Sequence, residues 1–112
     1  MAIKVALLKT GEYVIADMKE ILSDDNIVAY LFNNPNLVEI NTPILTEQDK
    51  KGAIQISLTK WILITQDSEI AVPYSHVVTI VEPLDSVTKM YLEKLDGQGI
   101  VSDKSTTFDK SD

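Results

Sequence analysis

From Ile3 to Val81 the chain is a succession of short apolar segments cut by turn signals, a rhythm that points to β-structure. Ile3 to Lys9 reads as a first strand, and Thr10-Gly11-Glu12 as a tight turn in which glycine supplies a positive φ. Tyr13 to Leu22 reads as a second strand, with Val14, Ala16 and Met18 on one face. After the polar turn Ser23-Asp24-Asp25-Asn26, a third strand runs from Ile27 to Phe32. Asn33-Asn34-Pro35-Asn36 reads as a turn or sharp bend, and Leu37 to Leu45 as extended chain broken by Pro43, which suggests an edge.

Beyond a charged loop over Thr46 to Gly52, Ile54, Ile56 and Leu58 alternate with polar residues, the pattern of a half-exposed strand. At Trp61-Ile62-Leu63-Ile64 the alternation stops, and Val77 to Val81 is again apolar on nearly both faces. Antiparallel strands normally alternate, so these two segments are either central strands of a barrel or strands that need a cover, from the C-terminal helix or a neighbouring subunit. Pro83 ends the sheet. A helix over Ser86 to Leu95 follows, capped by Asp85 or Ser86, with Val87, Met90, Tyr91 and Leu95 on one side and Gly97 as stop. Residues 1–95 thus read as one small domain, and residues 96–112, rich in Gly, Ser, Thr, Asp and Lys, as a disordered tail.

Composition removes several classes of function. With no cysteine there are no disulfides or thiolate metal sites, and one histidine leaves no His-rich site; no cofactor is expected. No stretch of eighteen apolar residues and no basic leader occurs, so the chain reads as soluble and cytoplasmic, without a membrane partner. Seventeen acids face ten bases, all lysine, for a net charge of −7. A duplex-binding surface needs a basic stripe to displace counterions, so duplex DNA is not an expected partner. No serine, histidine and acid stand in a recognisable nucleophile pattern, and no phosphate loop or HExxH occurs, so no enzyme is expected.

The remaining chemistry gathers at Val72 to Pro83. Tyr74 and His76, the only histidine, sit two residues apart at the turn between a short strand and an apolar one. An aromatic face beside an imidazole suits a nucleobase, which stacks on one and hydrogen-bonds the other. The bland alternative is a packed tyrosine and a histidine bonding local backbone. Trp61 reads as a core or interface anchor rather than a nucleotide platform. Asp24-Asp25 reads as a solvated loop rather than a cation site. Lys50-Lys51 is too small for a basic patch, and Gly97-x-Gly99 has no strand and helix around it to cradle phosphate.

The order Tyr74-x-His76, then Thr79-Ile80-Val81 and Pro83, resembles the second motif of the Sm-like (LSm, Hfq-like) family. Leu8 to Asp17 looks like the opening of its first motif, Tyr30 to Pro35 like its third strand, and Asp24-Asp25-Asn26 like the counterpart of its Asp and Asn. Within the family the chain looks similar to Sm-like proteins of T4-like phages of cyanobacteria. They share the Thr-Gly-Glu turn, an Asn-Pro after the third strand, a Trp and a Val-Val-x-x-Val-Glu-Pro ending before a helix. Two departures stand out: Ser75 replaces the lysine of the Hfq-like Tyr-Lys-His, and the helix follows the last strand instead of preceding the first.

The resemblance implies a small, strongly bent, five-stranded antiparallel barrel with a C-terminal helix, assembled into a homo-oligomeric ring. It implies binding of short single-stranded RNA at the pore through Tyr74, His76 and Asn26, and a subunit interface containing Trp61, Ile62, Ile64, Val78 and Ile80. Phage encoding would place the protein in the host-cell cytoplasm. The alternative is a ring-shaped protein-interaction module that meets a protein partner and binds no RNA.

Overall fold

Two tight turns set the first three strands. Gly11 adopts a φ of +90°, and its N–H donates to Leu8 O at 2.9 Å, closing the hairpin between β1 (Ile3–Leu8) and β2 (Tyr13–Ser23). Asp24 and Asp25, at φ of 51° and 67°, form the two-residue turn into β3 (Asn26–Asn41). Asp tolerates this left-handed pair better than most residues, and the pair matches strand twist. The computed structural model describes residues 1–41 and 55–97. In it β4 (Gln55–Lys60), β5 (Glu69–Pro73), a 3-10 turn (Tyr74–His76), β6 (Val77–Val81) and α1 (Asp85–Gly97) follow in that order.

The strands form one antiparallel sheet in the order β4-β3-β2-β1-β6, with β5 also paired to β3. The fold is thus mostly β with a C-terminal helix, as expected, but among the described residues the sheet has six strands and does not close into a barrel. The extra strand comes from β3. Asn33-Asn34-Pro35-Asn36 is no turn: the chain runs on as a strand of 16 residues. Ile15 pairs with Asn36 and Asp17 with Asn33, so three steps on β3 oppose two on β2. This is a bulge, with Asn34 at φ +54° absorbing the extra residue. The N-terminal half of β3 pairs with β5, from Ala29↔Pro73 to Asn33↔Glu69. Its C-terminal half pairs with β4, from Asn36↔Lys60 to Asn41↔Gln55.

The sheet is nonetheless rolled. In a flat sheet β5 and β6 would lie four strand spacings apart, roughly 19 Å. Pro73, paired to β3, and Val77, paired to β1, are four residues apart in sequence, a span of at most about 14 Å and less through a 3-10 turn. Only a curled sheet brings the two ends that near.

Each face of β2 carries its own core. Val14, Ala16 and Met18 pack with Ala6, Leu8, Phe32 and Val72 inside the curl. Ile15, on the opposite face, packs with Val38, Val87 and Tyr91, so α1 covers the outside. Tyr91 is fully buried, and its hydroxyl donates to Asn33 O and Asn34 O at 3.1 and 3.0 Å. That contact fastens the helix to the bulge. Burial pushes the Tyr91 phenol up to about 12.

Trp61 to Ile64 forms a turn and not the strand its apolar run suggested. The Trp61 side chain packs inward against Phe32, ring centroids 6.1 Å apart, while Leu63 and Ile64 are exposed. On β6 the register slips between Leu7 and Leu8, so Val78 has no partner on β1. Val77 and Ile80 therefore both reach the inner core, and Val78 and Val81 face out. Two expectations, Pro43 with the loop from Thr46 to Gly52 and the tail after Gly97, lie outside the described residues.

Candidate functional site

The Tyr74–His76 turn is built by its neighbours in sequence. Pro73, at φ −57° and ψ 141°, ends β5 and starts the turn, and Val77 N–H donates back to Tyr74 O. Lys9 N–H donates to His76 O at 2.9 Å, fastening the turn to the end of β1. Tyr74 is 56% exposed, and its ring lies 6.4 Å from that of Tyr30 at a 32° tilt. One phenol is thus held against another while most of its face meets solvent. His76 is half-buried, and its imidazole makes no hydrogen bond among the described residues.

Asn26 does not join this pair. It lies at the tip of the β2–β3 turn, three residues from Ala29, the partner of Pro73, and its amide donates to Asp24 O at 3.2 Å. Of the residues expected at a subunit interface, Ile64 and Val78 are exposed at 97% and 58%. Trp61 and Ile80 are half-buried against the inner core, and Ile62 faces a cleft beside the bulge. The outer edges of β6 and β5 carry no partner among the described residues.

Sequence reasoning missed this cleft, of about 350 Å³, where β3 changes partner from β5 to β4. The connection from Trp61 to Ser68 arches over it, held by Trp61 N–H to Pro35 O at 3.1 Å and Asn34 N–H to Ser68 O at 2.6 Å. Lys60 Nζ donates to Thr65 O across the arch. Asn36 lies at its base, 2% exposed, with its Nδ2 donating to Asn34 O at 3.1 Å. Its Oδ1 is buried and has no hydrogen-bond partner among the described residues. A buried acceptor left unpaired costs about 1–3 kcal/mol, so its retention asks for a reason. The sequence signal was Asn-Asn-Pro-Asn itself, four turn-forming residues that here shape a bulge.

Among the described residues no group of three or more His, Asp or Glu side chains is placed to hold a metal ion, and no helix is long and apolar enough to cross a membrane.

These features define a rolled antiparallel β-sheet protein with a helix on its outer face and an aromatic–imidazole turn between two open edges. The chain belongs to a family of unknown function, DUF6561, whose model matches residues 1–96. No curated protein matches it.

Proposed function

We propose that this chain is an Sm-like, ring-forming protein that binds short single-stranded RNA at the ring pore and performs no catalysis. The observation that carries the reading is the Tyr74–His76 turn, which joins a strand paired to β3 with a strand paired to β1. In the Sm-like family the strand before this turn in one subunit pairs with the strand after it in the next. Here the corresponding outer edges, on β5 and β6, are free among the described residues. Unpaired edges invite strand addition, and a head-to-tail contact that repeats with rotation closes into a ring. Exposed Val78 and Val81 on β6 supply apolar contact beside such an edge.

In this reading each subunit presents the exposed Tyr74 ring for stacking and the half-buried imidazole of His76 for a base edge. Asn26, held in its own turn, takes a peripheral place. The protein works in the cytoplasm, that of the host cell where a phage encodes it. The −7 charge and the absence of arginine favour a second reading, a ring-shaped protein-interaction module without RNA. Light scattering combined with titration of short oligo(U) and oligo(A) tests both. A ring that binds either oligomer supports the first reading, a ring that binds neither at tens of micromolar supports the second, and a monomer at micromolar concentration ends both.

A further inference from the structure

The hairpin of β2 and β3 runs past the start of β1. Pairing between β1 and β2 begins at Ile3↔Asp17, with one further bond from Met18 N–H to Ala2 O at 2.9 Å. From Lys19 to Ser23, β2 is paired to β3 alone among the described residues. Backbone groups alternate along a strand, so the N–H and C=O of Glu20 and Leu22 point, like those of Met18, to this open edge. We propose that an extended segment of another protein adds to this edge as a strand, with an apolar side chain in the hollow beside it and a lysine or arginine two residues away. The inference rests on neither the ring nor the RNA reading, since this edge belongs to β2 and not to β5 or β6.

Three observations set the partner's chemistry. The first is the hollow. About 260 Å³ opens beside the edge, between Ala2, Met18, Glu20, Tyr30 and Ile80, and its wall is mostly apolar. Met18, Tyr30 and Ile80 belong to the inner core, so the hollow is where that core reaches the surface. Glu20 lies opposite Tyr30 and two residues from Met18, hence on their face of the sheet. A residue added opposite Glu20 directs its side chain to that face and into the hollow. The second is the hairpin beyond it. Leu22 and Val28 are exposed and extend the apolar surface toward the tip, where the stem of a long side chain can lie. The third is charge. Glu20, Asp24 and Asp25 stand at this end of the hairpin against Lys19, while Lys4, which also lines the hollow, is paired with Glu82. A cation opposite Leu22 is diagonal to Glu20 and within its reach. Main-chain hydrogen bonds supply affinity in such strand addition, and alternate side chains supply specificity.

The probes are two blocked pentapeptides, Thr-Leu-Thr-Lys-Thr and the same peptide with Glu for Lys. Titrated into the isotope-labelled full chain and followed by NMR, the Lys peptide should shift the backbone amides of Glu20 and Leu22 and the Met18 methyl. It should bind about tenfold more tightly than the Glu peptide, which sets like charges together. Replacing its Leu with Ser should weaken binding by a similar factor, because the hollow is left unfilled. N-methylation of one set of alternate peptide amides should abolish binding, and of the other set should not, a difference peculiar to strand addition. Glu20→Lys, at an exposed position, should erase the preference between the peptides. If that variant does not fold, the N-methyl pair on the native chain still decides. Equal binding of the Lys and Glu peptides, indifference to the position of N-methylation, shifts confined to β5 and β6, or no shifts at millimolar peptide would overturn the proposal. So would slow hydrogen exchange at the Glu20 and Leu22 amides of the free chain, which would mean that a second copy or another part of this chain already covers the edge.

Discussion

Replacing Tyr91 with phenylalanine removes one oxygen and probes the joint between helix and sheet. The hydroxyl bridges two carbonyls, Asn33 O at 3.1 Å and Asn34 O at 3.0 Å, in a fully buried position. Asn34 O keeps the Asn36 amide, but Asn33 O loses the hydroxyl. One buried acceptor left without its donor costs about 1–3 kcal/mol. For a domain near this size, each kcal/mol lowers the melting temperature by roughly 4–8 °C. The pH dependence supplies an independent check. The folded phenol titrates at about 12 against an ordinary 10.0, so the folded state favours the neutral form. That stabilisation is complete below pH 10 and drains away as pH rises through 12. A two-unit shift corresponds to about 3 kcal/mol at the upper limit. Urea titrations at pH 8 and pH 11.5 should show the native chain losing stability and Tyr91→Phe losing less, so that the two converge. Parallel losses at the two pH values, or a variant as stable as the native chain at pH 8, would refute the bridging role.

Phe32→Ala should cost about 3–5 kcal/mol in urea denaturation, because Phe32 is fully buried and supports Trp61. Asn34→Gly should leave the melting temperature nearly unchanged, whereas Asn34→Val should lower it, since φ +54° suits glycine and penalises a β-branched residue. If the subunits form the proposed ring, Val78→Lys should dissociate it in light scattering while circular dichroism keeps its β signal, because Val78 is exposed in the subunit. If RNA is bound, Tyr74→Ala should weaken oligo(U) or oligo(A) binding more than His76→Ala, as stacking supplies roughly 1–3 kcal/mol per base.

Where local chemistry decided the outcome, the sequence was readable. The hairpin at Gly11, the turn at Asp24-Asp25, the span of Val77–Val81 and the helix expected over Ser86 to Leu95, which the structure extends to Asp85–Gly97, all follow from turn residues and period. The two misreadings share one physical cause. Asn-Asn-Pro-Asn has every local reason to turn, and β2 holds it in the sheet through pairing on both sides of the bulge. Trp61 to Ile64 has every local reason to be a strand, but that side of β3 is already paired to β4 and β5, and the segment makes the turn between them. Pairing is a property of the whole sheet and leaves little trace in a short window of residues. The same holds for the candidate sites. Tyr74 and His76 could be marked because their turn is local, while the Asn36 cleft exists only where one strand changes partners.

Charge separates the two functional readings more sharply than shape does. A ring of subunits at −7 repels a phosphate chain at long range, and lysine without arginine offers no forked clamp to offset that repulsion. RNA held by such a ring must be held by its bases, stacked on repeated Tyr74 rings whose high effective concentration compensates for weak single contacts. Few counterions are released in that mode, so affinity should change little between low and physiological salt. A protein partner recognised by an acidic ring would be basic, and its binding would rest on the long-range attraction that salt screens. Weak salt dependence with oligo(U) and loss on Tyr74→Ala would support the base-stacking ring. A steep decline with salt in the affinity for a basic protein partner would point to the acidic surface instead and leave Tyr74 as a packing residue of its turn.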